Sequence, residues 1–149
     1  MTKAIRVHNT GGPEVMILED VEIGQPGAGE VHVRHTAIGL NFIDVYFRTG
    51  SYPVQTPFTP GFEAAGVVEA VGDGVDNLSV GDRIAYAAPP IGAYAEERLI
   101  AADRVVKLPD EIADRVGAAI MLKGMTTEYL LRRTYAISAG DTILFHAAA

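Results

Sequence analysis

Two hydrophobic periods meet at Gly39, and that junction limits what the chain can become. Upstream, Glu30-Val31-His32-Val33-Arg34-His35-Thr36 alternates apolar and polar side chains, the period of a half-buried strand. Downstream, Phe42, Val45 and Tyr46 recur at spacings of three and four, the period of one helix face. Gly39 breaks the strand. Asn41 stands where an N-cap belongs, and its short carboxamide can hold the first free N–H groups of the helix. The junction gathers polar and aromatic side chains, which suits ligand binding. The plain alternative is that Asn41 only caps and that Phe42 and Tyr46 only fill the core.

The flanking pattern predicts a strand-rich body. Residues 3–8 and 15–23 read as strands joined by the turn cluster Asn9-Thr10-Gly11-Gly12-Pro13, and residues 30–38 as the next strand. The run Gly61-Phe62-Glu63-Ala64-Ala65-Gly66-Val67-Val68-Glu69-Ala70-Val71-Gly72 is dominated by small residues and valine. Such a strand packs little side-chain volume, so another backbone or a ligand must come close to it. Residues 84–87 read as a strand; residues 93–100 are ambiguous and are assigned to strand by their neighbours. Many Gly/Pro turns between short strands predict a small, mostly antiparallel barrel. After Pro109 the pattern changes. Asp110 is a plausible N-cap for a helix over 112–120, a second helix is expected over 123–135, and the apolar run 142–149 reads as a strand buried on both faces.

Composition excludes several classes. A chain of 149 residues suffices for one domain with a proper core. Twelve basic against 19 acidic side chains, a net charge of −7, argue against nucleic acid or an anionic membrane as partner. With no cysteine, disulfides and thiolate metal sites are excluded. The first residues lack the apolar core of a signal peptide and no run is long enough to span a bilayer, so a cytoplasmic location is expected. His8, His32, His35 and His146 lie in separate strands with no ligand spacing and read as surface or satisfied strand residues. Gly72-Asp73-Gly74 begins a G-x-G pattern, but Asn77 stands where the third glycine belongs.

Six stretches then point to a family. They are Gly11-Gly12-Pro13-Glu14-Val15, Ala37-Ile38-Gly39-Leu40-Asn41-Phe42-Ile43-Asp44-Val45-Tyr46, Pro60-Gly61-Phe62-Glu63-Ala64-Ala65-Gly66, Val80-Gly81-Asp82-Arg83, Leu122-Lys123-Gly124-Met125-Thr126 and Leu144-Phe145-His146-Ala147-Ala148-Ala149. In this order they resemble the N-terminal part of the zinc-independent NADPH:quinone oxidoreductases, the zeta-crystallin-like branch of the medium-chain dehydrogenase/reductase superfamily. The resemblance implies a mainly β fold with short helices. It would be a GroES-like, partly open β-barrel followed by the first helix and strand of a truncated Rossmann domain. Residues 1–122 would form the catalytic domain, and 123–149 the linking helix and first strand of the incomplete Rossmann domain.

The same resemblance implies hydride transfer from NADPH to a small-molecule quinone, without nucleic acid or membrane as partner and in a homo-oligomer. Tyr46 and Asn41 would be catalytic. Tyr46 would orient the quinone oxygen or donate to it, and Asn41 would hydrogen-bond the nicotinamide ribose or the substrate. Asn41, Phe42, Ile43, Asp44, Val45, Tyr46, Lys123, Thr126 and Tyr129 would bind the cofactor. Phe42 would pack an apolar wall, and Thr126 and Tyr129 would share a helix face one turn apart. Helix packing accounts for Thr126 and Tyr129 equally, a solvated lysine for Lys123, and a first-turn carboxylate for Asp44. Zinc-dependent relatives carry a cysteine where Asn41 stands and a histidine where Phe62 stands, so no zinc or other metal is expected, and Glu63 alone is not a site. In the family a glycine-rich turn that receives the cofactor pyrophosphate follows the final alanines. It is not in these residues, so the chain alone is expected to be inactive. Two alternatives stay open: an enone or activated-alkene reductase, and a non-catalytic barrel domain with a structural or self-association role, in which residues 143–147 pair with another chain or stay exposed.

Overall fold

Alternation along residues 30–39 sorts one face from the other. Val31 and Val33 are fully buried, whereas His32 between them is half-buried and Arg34 beyond them is exposed. The computed structural model describes residues 1–87 and 89–146. The elements run β1 (Thr2–Val7), β2 (Met16–Val21), β3 (Glu30–Gly39), α1 (Phe42–Thr49), β4 (Glu63–Val71), β5 (Arg83–Ala87), β6 (Glu97–Ala101), β7 (Val106–Lys107) and α2 (Asp114–Glu128). A π-helical turn, Tyr129–Thr134, continues α2.

β3, β4, β5, β6 and β7 form one antiparallel sheet in the order β6-β3-β4-β5-β7, and β1 and β2 pair as a separate hairpin. Single bridges, Ala4 to Ala95 and Val7 to Phe58, tie the hairpin back and give the partly open, GroES-like barrel that the resemblance implies. Val31, Val33, Val68, Ile84, Tyr86 and Ile100 fill its inside.

β4 lies at the centre of the sheet, and its small residues have the expected use. Ala64 faces the main core, while Ala65, with Ala85 of β5, faces α2 at Ala118. Gly117 and Ala118 are the buried residues of α2, so small side chains meet on both partners and the helix sits close to the sheet. Gly39 is part of the same fit. A Cβ there would run into the Ala118 carbonyl and come within 2.7 Å of a Glu63 carboxylate oxygen.

Three expectations need correction. The two helices expected over 112–120 and 123–135 are one helix, because Met121 and Leu122 favour helix and nothing between Ile120 and Lys123 stops it. Asp110 does not cap it; Ala113 precedes the first turn and Asp114 opens it. Finally, residues 142–146 form no strand. An apolar run becomes a strand only where a neighbour takes its hydrogen bonds, and Ile143, Leu144 and Phe145 have none among the described residues and are exposed. Ala147, Ala148 and Ala149, the end of the expected strand, lie outside the described residues. Among those described, no helix is long and apolar enough to cross a membrane.

Candidate functional site

The site forms where the end of β3, the start of α1, the start of β4 and the middle of α2 converge. Asn41 holds the N-cap position in extended backbone, and its carbonyl accepts from Asp44 N–H at 3.1 Å. Asn41 and Asp44 form a capping box at the start of α1, with the Asn41 side chain toward the Asp44 N–H and the Asp44 carboxylate reaching back, its Oδ2 accepting from Asn41 N–H at 3.0 Å. α1 ends at Gly50, whose left-handed φ of 80° suits glycine alone.

Beyond the capping box, the Asn41 side chain spans two charged groups. Its Nδ2 donates to Glu63 Oε2 at 2.7 Å, and its Oδ1 accepts from Lys123 Nζ at 2.8 Å. The second oxygen of Glu63 accepts from the backbone N–H of Leu122 at 2.9 Å. Glu63 is 0% exposed, Asn41 is 7% exposed, and the Lys123 side chain is 62% exposed. Buried charge is tolerated only where it is hydrogen-bonded and paired. Here the pairing cation stands at the surface and is reached through a neutral amide, with Nζ 3.9 Å from the carboxylate.

Behind this cluster, Tyr94 donates its hydroxyl to Asp44 Oδ2 at 2.9 Å. Burial pushes the Asp44 carboxyl above its ordinary range, against the opposing pull of its two donors. Burial, with the Asp44 charge next, pushes the Tyr94 phenol well up. Glu63 and Tyr94 were not among the expected site residues. A charged residue inside a Gly/Ala-rich strand that must be buried was the available signal for Glu63; the ambiguous stretch around Tyr94 offered none.

In front stand aromatics. Phe42 is 71% and Tyr46 38% exposed, so neither is core. Their rings meet edge to face with centroids 5.3 Å apart, and Tyr46 also lies 5.2 Å from Tyr52. Phe47 touches Tyr52 and stacks on Phe62. Ile43 and Val45 are half-buried on α1. Of the remaining expected residues, Thr126 is exposed and donates to the Leu122 carbonyl of its own helix, and Tyr129 is 58% exposed at the end of α2. Among the described residues no hydrogen bond joins either side chain to Asn41, Glu63 or Lys123. A hollow of about 260 Å³ between Gly39, Leu40, Ala118 and Lys123 opens next to that cluster.

The histidines divide. His8 pairs with Glu19, and His146 is exposed. His35 is held by two partners: Ala95 carbonyl accepts from its Nδ1, so its Nε2 accepts from the Tyr86 hydroxyl. Burial brings its pKa down to about 4. His32 contacts Glu97 at 3.1 Å, and adjacency of three strands adds Glu69, with one possible ligand atom of each within 4.8 Å of the others. The spacing that sequence lacked is thus supplied by the sheet, although Arg34 already pairs with Glu69.

Comparison with known proteins gives the setting. The family model of the alcohol dehydrogenase GroES-like domain matches residues 27–110. A quinone oxidoreductase of Pseudomonas aeruginosa is 53% identical over 150 residues, covering 100% of this chain and 46% of that protein. A 2-haloacrylate reductase of a Burkholderia species is 46% identical over 155 residues, again covering 100% of this chain and 46% of that protein. The crystal structure of Escherichia coli quinone oxidoreductase complexed with NADPH superposes with a TM-score of 0.89 at 44% identity, over 91% of this chain and 42% of that one. The chain thus spans about half the length of the relatives it matches.

Proposed function

Because the chain belongs to the family of the alcohol dehydrogenase GroES-like domain, we propose that it supplies the substrate-facing wall of an NADPH-dependent quinone reductase. The observation that carries this reading is the exposed edge-to-face pair Phe42 and Tyr46, set directly after the buried Asn41–Glu63 contact. An exposed aromatic pair costs solvation and is ready to stack on a flat ring. Similarity to the Pseudomonas oxidoreductase over the whole chain supports the same assignment.

On this reading Tyr46 gives its hydroxyl to a quinone oxygen as negative charge develops there. Phe42 excludes water from the ring face. Lys123 presents an ammonium, one of whose N–H groups is committed to Asn41. Asp44, Ile43 and Val45 act from behind, Asp44 by fixing the first turn of α1. Thr126 and Tyr129 extend the cofactor side along α2. NADPH, when bound, supplies the hydride, and the protein's part is to orient it. A zinc ion does not fit. Asn41 offers a neutral amide already committed on both atoms, Phe62 offers no donor, and both oxygens of Glu63 are occupied.

The test is Tyr46→Phe in a reductase carrying this chain. Quinone turnover should fall about 100-fold while cofactor affinity stays nearly constant, as for loss of one donor to a developing oxyanion. Unchanged turnover removes Tyr46 from the reaction. A second reading, reduction of an activated alkene, is supported by the likeness to the 2-haloacrylate reductase. Offering a quinone and a 2-haloacrylate to the same protein separates the two, and NADPH consumption with neither overturns both.

A further inference from the structure

Three groups in the site form a chain with a direction. The Glu63 carboxylate, 0% exposed, binds Asn41 Nδ2 on one oxygen and the Leu122 N–H on the other. Asn41 Oδ1 binds the Lys123 ammonium. A carboxylate can only accept and an ammonium can only donate, so the amide between them has a single orientation. The enclosed end of the chain is the charge that cannot turn to water, and the exposed end is the one that can.

From this geometry we infer that Glu63 is a positioning residue that orients the Asn41 carboxamide and, through it, fixes the Lys123 ammonium at the wall of the site. What that ammonium then meets rests on the function proposed above; the orientation itself does not. The Leu122 contact adds to the effect, because it holds the backbone from which Lys123 extends. With Glu63→Gln the side chain keeps its size but gains a donor. It can satisfy the Leu122 N–H through its oxygen only by turning its amide N–H₂ toward Asn41. The Asn41 carboxamide must then rotate to accept, and its own N–H₂ faces the ammonium, donor against donor. Lys123 is released.

The experiment is side-chain NMR on the 149-residue chain and two variants, Glu63→Gln and Lys123→Met, with exposed Asn9 as internal reference. In the unaltered chain the Asn41 carboxamide protons should exchange with water at least ~10-fold more slowly than those of Asn9. Contacts from those protons should reach Glu63 and not Lys123. Lys123→Met should leave that protection in place, because the amide is held from the Glu63 side. Glu63→Gln should abolish it and shift the Asn41 contacts toward Lys123, in a chain whose backbone spectrum is otherwise kept. A purely structural Glu63 would change melting and leave the amide orientation alone, so retained protection in Glu63→Gln overturns the inference. So does unprotected Asn41 in the unaltered chain. If Glu63→Gln does not fold, the Lys123→Met result decides, since loss of protection there would assign the orientation to the lysine. None of these readouts uses cofactor or quinone. Absence of quinone or alkene reduction by a reductase carrying this chain would therefore sink the proposed function and leave this inference standing.

Discussion

The face of the sheet under α2 and the pocket of side chains at the start of α1 are both buried, yet they are built from opposite materials. Under α2, Ala65, Ala85, Gly117 and Ala118 meet in an apolar contact. At the start of α1, Glu63, Asn41 and Asp44 are buried together with Tyr94 packed behind them. The first region depends on volume, because dense interiors leave no room for an added methylene. The second depends on donors matching acceptors, because an orphaned buried polar group costs about 1–3 kcal/mol. One region should therefore be sensitive to size and indifferent to charge, and the other the reverse. α2 serves both, with Ala118 in the apolar contact and Leu122 and Lys123 in the polar one.

Gly39 is where the two regions touch, so a substitution there should break both. Its Cβ position is taken by the Ala118 carbonyl and the Glu63 carboxylate. Backbone cannot step aside as a flexible side chain can. Gly39→Val is expected to cost about 3 kcal/mol or more, at the top of the range for overpacking. Urea denaturation monitored by far-UV circular dichroism measures it. A loss under about 1 kcal/mol would mean that α2 slides easily on the sheet, and the comparison would fail at its strongest point.

The next effect lies at the edge of the apolar region, where α2 begins. Asp114 Oδ2 accepts from the Thr36 hydroxyl at 2.6 Å, and its Oδ1 accepts from Arg83 Nε and Nη2 at 2.9 and 2.6 Å. The Thr36 hydroxyl first, and the Arg83 guanidinium with it, hold the Asp114 carboxyl below its ordinary 3.8. A depressed folded value contributes stability that is present above 3.8 and is lost as pH falls through the folded value. The group is partly solvated, so the contribution is about 1 kcal/mol after screening. Asp114→Asn should lower the neutral-pH urea midpoint by that amount and remove this part of the acid sensitivity. An unchanged midpoint would show that packing alone docks the helix.

How much of this was legible in sequence follows from what range each signal has. β3 was readable because Val31 and Val33 alternate with polar neighbours, a pattern contained in the strand itself. The close approach at β4 was readable from its alanines and glycine, since missing volume must be filled by something. The use of Asn41 was not. Its partners lie 22 and 82 residues away, and no local pattern carries a distance of that kind. The local rule gave a cap, which the structure has as a capping box shared with Asp44, but it could not give the two charged partners. The break expected inside α2 had no glycine or proline behind it, since only Met121 and Leu122 lie between Ile120 and Lys123. The strand expected from residue 142 onward rested on hydrophobicity, which says that a segment wants burial and not that it has a neighbour.

The smallest effect is expected at Asp44, and it is the sharpest test of the comparison because its sign is reversed. Asp44 is 5% exposed, and its Oδ1 has no hydrogen-bond partner among the described residues. Burial lifts its carboxyl above the ordinary 3.8, while the Asn41 N–H and the Tyr94 hydroxyl pull the other way without cancelling it. A raised folded value means that the stability this group contributes is complete below 3.8 and is lost as pH rises through the folded value. Asp114 and Asp44 thus respond to acid in opposite directions, although both are first-turn carboxylates of a helix. Asp44→Asn keeps an acceptor oxygen for the two donors and removes the buried charge. Neutral-pH stability should stay within about 1 kcal/mol of the parent, and the pH profile of the urea midpoint should flatten above 3.8. A loss of several kcal/mol, on the scale of breaking a buried charge pair, would mean that the charge itself, and not the acceptor it carries, holds the start of α1.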